Sequence, residues 1–126
     1  MSEINHLNTK VESSVADIMA VEGVISCAIV STEGQIIGKS ESNSASSPFL
    51  GITGATMYAS AEAACSTFHV SAPDDILMET KNKDGLIIVK SINRKNLIVI
   101  IANKMESIAE IRKMINTISG NLAEDL

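Results

Sequence analysis

The chain has 126 residues, 45% of them hydrophobic and 20% charged, which suits one domain spanning residues 1–126 with its own core and excludes a disordered segment. A net charge of −5 and an aromatic content of 2% argue against nucleic acid as a partner, because phosphate binding rests on clustered Lys and Arg, and single strands need aromatic platforms. No basic stretch followed by an apolar run stands at the N-terminus, and Cys27 and Cys65 form neither a disulfide framework nor a Cys-x-x-C pair, so a cytoplasmic location is expected.

Ser2 to Glu22 reads as an amphipathic helix. Ile4, Leu7, Val11, Val15 and Ile18 give its stripe, Lys10, Glu12 and Asp17 fall off it, and Gly23 is placed to end it in a left-handed conformation. Val24 to Val30 is rich in β-branched residues and reads as a strand. Ser31-Thr32-Glu33-Gly34 is a tight turn, and Gln35 to Ser40 returns as the second strand of a hairpin. Glu41 to Ser47 is a Ser-rich loop.

Pro48 to Phe68 reads as the second helix, with Ser47 as N-cap and Pro48 at the first helical position, where its missing amide costs nothing. Leu50, Met57, Ala61, Ala64 and Phe68 share one face. A helix at the surface of a lone domain carries charge on the opposite face, yet Ile52, Ala55, Ala59 and Ala63 lie there, and Glu62 is the only charged residue. Exposed alanine alone means little, but Gly51, Ala55, Ala59 and Ala63 repeat every four residues as a smooth ridge that lets another helix approach closely. The expectation is a helix covered on one side by its own sheet and on the other by a second subunit. Glu62 and the hydroxyls of Thr53, Thr56, Ser60, Ser66 and Thr67 exclude a membrane span.

The chain breaks at Ala72-Pro73-Asp74, and Ile76 to Lys81 follows as a strand of mixed character. Asn82-Lys83-Asp84-Gly85 is a hairpin turn, Leu86 to Ile92 the next strand, and Asn93 to Asn96 another turn. Leu97 to Ala102, LIVIIA, is continuously apolar and reads as a central strand covered on both faces. The last helix starts near Met105 with Ile108, Ile111, Ile115, Ile118 and Leu122 as its stripe, and Gly120 weakens its end. The order α-β-β-α-β-β-β-α with short turns predicts an α+β fold: a five-stranded antiparallel sheet with helices on both faces.

Several of these segments together resemble the roadblock family of dynein light chains and its prokaryotic relatives. They are Gly23-Val24 closing the first helix, AIVSTEG at Ala28 to Gly34, the small-residue helix from Phe49, DGLIIVKSI from Asp84, and NLIVIIAN before the last helix. The resemblance spans nearly the whole chain. It implies a profilin-like sheet with three helices and a homodimer through the second helix and third strand. The interface residues it points to are Gly51, Ile52, Ala55, Ala59, Glu62 and Ala63 on the helix, and Ile76 and Met78 on the edge strand. It also implies a non-enzymatic scaffold or regulator, with a small Ras-like GTPase as partner. A dynein role is not implied.

No chemistry-bearing motif competes with that reading. Gly38-Lys39-Ser40 ends a hairpin strand, with Gly34 one residue too close and no helix following, so it does not make a phosphate loop. His6 and His69 have no ligand spacing for a metal, and His69 at a helix end is expected to complement the terminal carbonyls. Cys27 and Cys65 read as small buried hydrophobes without a neighbouring base. Asp74-Asp75 reads as turn chemistry. No catalytic residue, cofactor or metal is therefore expected. A small-molecule sensing or enzymatic α/β domain is the alternative, disfavoured because a helix faced with Ala and Gly leaves little room for a pocket.

Overall fold

The computed structural model describes residues 2–40 and 47–126. Helix α1 (Ser2–Met19) leads into strands β1 (Val24–Ser31) and β2 (Ile36–Lys39). Helix α2 (Leu50–Thr67) follows, then β3 (Asp75–Glu79), β4 (Leu86–Ser91), β5 (Asn96–Ala102) and helix α3 (Ile108–Leu122). All neighbours pair antiparallel in one five-stranded sheet of order β2-β1-β5-β4-β3, which is the expected profilin-like arrangement. The Ser-rich loop read from Glu41 lies outside the described residues as far as residue 46.

Strand β5 sits in the middle and feeds both layers, since alternate side chains point to opposite faces. Ile98, Ile100 and Ala102 join Cys27, Ile29, Leu86 and Ile88 beneath α1 and α3. Leu97 and Val99 join Ala28, Val30 and Val89 beneath α2. Val11, Val15 and Ile18 of the α1 stripe and Ile111, Ile115, Ile118 and Leu122 of α3 are buried in the first of these cores. The two helices run antiparallel, tied at one end by the Lys10–Asp125 ion pair and at the other by Ser107 Oγ donating to the Glu22 carbonyl at 2.6 Å.

Element ends depart from the sequence reading where a tertiary contact or a side chain intervenes. Helix α1 stops at Met19, three residues before Glu22, because the chain must turn to bury Val21. Gly23 then takes φ +95, with the Lys104 side chain lying where a Cβ would stand. Ser47 stands two residues before the N-cap position of α2. It opens a 3-10 turn, Ser47–Phe49, and Phe49 precedes the helix without a side-chain cap. Strand β3 ends at Glu79 rather than Lys81, since the Thr80 hydroxyl gathers the loop: it donates to Asp84 at 2.6 Å and accepts from the Gly85 amide at 3.0 Å.

Two glycines set the seat of α2. A Cβ on Gly51 would fall on the Gly34 carbonyl oxygen, and one on Gly54 would fall inside the Val99 side chain. Gly120, in contrast, faces open space within α3. Gly51→Ala is expected to lower unfolding stability in urea by about 1–3 kcal/mol, because the obstacle is backbone. Gly120→Ala is expected to raise it by up to about 1 kcal/mol through helix propensity.

Candidate functional site

Helix α2 is longer than the ground it covers. Its contacts step across the sheet: Gly51 at Gly34 and Ile36, Gly54 at Val99 and Val30, and Tyr58 donating through its hydroxyl to the Pro73 carbonyl at 3.3 Å, just before β3. Leu50, Gly51, Gly54 and Tyr58 are its buried residues, so burial ends at Tyr58. From Ala59 to Thr67 every residue is exposed or half-buried, and this stretch holds a single charge, Glu62. The end of the helix is fixed by His69, which takes φ 58 while its amide donates to Ser66 and the Val70 amide donates to Cys65. A non-glycine residue in that conformation is uncommon, and it leaves Phe68 76% exposed beside an exposed Val70.

Beside this helix runs the free edge of the sheet. Among the described residues strand β3 pairs with β4 alone and ends the strand order. Two ion pairs hold its start. The almost fully buried Lys90 reaches Asp74 at 2.7 Å, and Arg112 of α3 lies 3.4 Å from Asp75. Asp74 and Asp75, read from sequence as turn chemistry, are therefore the anchors of the edge strand. On the α2 face, Met78 pairs with Ile87 and Ile87 with Ile101 in one row across β3, β4 and β5. Ile87 and Ile101 are half-buried and Met78 is 42% exposed.

The sequence-expected interface residues divide accordingly. Ile52, Ala59, Glu62 and Ala63 are exposed, with Ile52 at 63%. Ala55 is half-buried, and Gly51 is taken up inside the protomer against its own hairpin rather than left on an open ridge. Ile76 is half-buried against the core beneath α2, and Met78 stands on the open row. Phe68 is exposed at the far end of α2 and Ile87 and Ile101 are half-buried on the α2 face of the sheet, and the sequence reading does not place them at the interface. Phe68 is legible as part of a stripe; what sequence periodicity lacks is the place where the sheet under that stripe ends.

The reactive side chains stay apart. Among the described residues no group of His, Cys, Asp and Glu could hold a metal ion. Lys39 is exposed at the end of β2, and Gly38 is packed against Val11, far from any phosphate-loop geometry. Cys27 is fully buried under α1, and burial pushes its thiol up to about 12; Cys65 is half-buried on α2. An open groove of about 660 Å³ runs between α1 and β2, floored by Val11, Val15 and Met19, without a convergent catalytic set. Among the described residues no helix is long and apolar enough to cross a membrane.

No family model matches the chain, and no curated protein matches it. Solved structures do. The gliding protein MglB of Thermus thermophilus superposes with a TM-score of 0.82 at 10% identity, over 94% of this chain and 90% of that one. A Roadblock/LC7 domain from Streptomyces avermitilis gives 0.78 at 12% identity, over 88% and 92%. A structure described as MglB with tetrameric arrangement gives 0.78 at 10% identity, over 90% and 85%. At these identities the likeness is one of fold, and at that level the resemblance to the roadblock family holds.

The Cys27 thiol makes a check on the buried layers. Only the thiolate reacts, so Cys27 is expected to resist Ellman's reagent until the protein unfolds. An unfolded thiol deprotonates near its ordinary value of 9.0, while folded Cys27 keeps its proton to about 12, so the unfolded chain gains as pH rises. Stability should therefore fall between those pH values, and less steeply in Cys27→Ala than in the wild type, as read by urea unfolding at each pH.

Proposed function

We propose that this protein is a non-enzymatic homodimeric scaffold or regulator of a small Ras-like GTPase, assembled through α2 and the edge strand β3. The observation that supports it is the second half of α2, apolar and small on the side that a lone domain would line with charge. In this reading Ile52, Ala59, Glu62 and Ala63 meet the twofold mate of the helix, with Ala55 at the margin, and Ile76 and Met78 border the seam on β3. The free edge of β3 finds its own copy, which satisfies the amides and carbonyls it exposes. The GTPase follows from the roadblock resemblance, and the fold of the MglB structures is consistent with it.

The wild-type protein is expected to sediment as a dimer at micromolar concentration. Ala59→Arg places two guanidinium groups in a seam sized for methyls, since a twofold contact repeats every substitution. Overpacking alone costs about 1–3 kcal/mol per site, and unpaired buried charge costs more. The variant should run as a monomer with its far-UV circular dichroism unchanged, because arginine keeps helix nearly as well as alanine. A wild-type monomer would refute the interface.

For the partner, immobilised protein is presented with purified small Ras-like GTPases loaded with GDP or with a non-hydrolysable GTP analogue. Retention in at least one nucleotide state is expected. The protein alone should release no phosphate from GTP or ATP, and turnover lost in Lys39→Ala would contradict the non-enzymatic reading.

A further inference from the structure

The sheet ends on two strands, and β2 is the edge far from β3. Among the described residues β2 pairs with β1 alone, and a bulge breaks the ladder. Gly38 stands opposite Ile29 and Ile36 opposite Val30, so Ile37 between them has no partner on β1. Bulges at sheet edges re-aim side chains. Here the extra residue, 42% exposed, joins the lining of the groove between β2 and α1, whose floor is Val11, Val15 and Met19.

The backbone just beyond the bulge faces outward. The Ser40 amide donates to the Cys27 carbonyl at 3.3 Å, and bonds in an antiparallel ladder alternate from residue to residue. Gly38 therefore turns its amide and carbonyl toward β1, and Lys39 turns its own away. The bonds of β1 agree: the Ser31 amide donates to Gln35 beside β2, and the next amide, Thr32, donates to Lys95 beside β5. Lys39 stands opposite Ala28, four residues before Thr32 and in phase with it.

The two rims of the groove carry unpaired charge. Glu12 of α1 and Lys39 of β2 are exposed, and among the described residues neither has an ion pair. Glu12 lines the groove on the α1 side. The Lys39 side chain shares the face of its partner Ala28, which belongs to the core beneath α2.

We propose that this edge takes a short extended peptide of a partner protein, added beside β2 with an aliphatic side chain in the groove over Val11, Val15 and Met19. Strand addition satisfies the outward amide and carbonyl of Lys39, which a docked helix, bonded internally, would leave unmet. Alternation then sets the chemistry of the peptide. The residue opposite Lys39 lies on the same face as its side chain and is acidic. Its two neighbours turn toward α1; one is the aliphatic residue and the other is basic and meets Glu12. A second copy of this chain fits poorly, because a bulge and a lysine on a four-residue strand oppose pairing of β2 with itself. The site is independent of the dimer reading, since β3 lies at the other end of the sheet.

A fluorescein-labelled nonapeptide tests the proposal, with glutamate at its centre, valine and lysine on either side of it, and threonine elsewhere. It is made in both chain orders, since either strand direction can satisfy Lys39. One order is expected to bind the wild-type protein saturably below about 1 mM by fluorescence anisotropy. Methylating the central amide nitrogen removes the donor to the Lys39 carbonyl and should weaken binding about tenfold. Exchanging the glutamate and the lysine should weaken it several-fold. Lys39→Pro is tolerated at an edge where the amide faces outward, so it should lose about tenfold in affinity with an unchanged far-UV spectrum. Lys39→Ala keeps the amide and should lose only the charge preference. Absence of binding in both orders, or binding indifferent to the methylated amide, would overturn the proposal. A Lys39→Pro chain that sediments at lower mass than the wild type would assign the edge to another copy and overturn it too.

Discussion

The structure depends on one strand that has no polar face. Leu97, Ile98, Val99 and Ile100 of β5 are wholly without exposure, and the strand pairs with β1 on one side and β4 on the other. A strand apolar on both faces needs a covering layer on both faces. Beneath α1 and α3 that need is met by two helices whose stripes close over a continuous core. On the opposite face a single helix is available among the described residues, and its buried residues all lie in its first half. The imbalance between two helices and half a helix is the source of the apolar surface on the α2 side.

Most of this architecture is legible locally. The LIVIIA run, the periodicity of α1 and α3, and the turn residues at Gly34 and Gly85 each announce their element without outside help. What periodicity misses is which side of a small-residue ridge is used. Gly51 and Ala59 look alike in sequence, yet Gly51 admits the Gly34 carbonyl while Ala59 faces outward. The distinction comes from where the β1–β2 hairpin stops, which is a tertiary fact. Asp74 and Asp75 are opaque for the same reason: Lys90 and Arg112, which make them anchors, are distant in sequence.

Those anchors give the edge strand its position. Among the described residues β3 is hydrogen-bonded along one side only, so no neighbouring strand fixes its outer face. Lys90 lies buried on the side of α1 and α3, and a buried ammonium without its partner costs several kcal/mol, about 3–5 when one member of such a pair is removed. Asp74 is 79% exposed, so solvent screening trims that figure, but the direction is clear. Arg112 extends the tie to α3. The side of the sheet that faces α3 thereby sets where the opposite, uncovered face presents Met78.

The size of the uncovered surface decides what it can do. Fully burying a side chain such as Phe or Met contributes about 1.5–3 kcal/mol, and an isologous contact counts each residue twice. Association costs an estimated 4–15 kcal/mol or more in lost freedom. A patch of this kind touching an unlike surface would contribute once, and the low end of that cost would absorb it. In the proposed homodimer each exposed apolar side chain at the seam, Ile52 and Met78 among them, contributes twice. Doubling is what brings a modest apolar surface into the range where association becomes favourable. A chain with so few aromatic residues gains most from such a surface when the partner is itself.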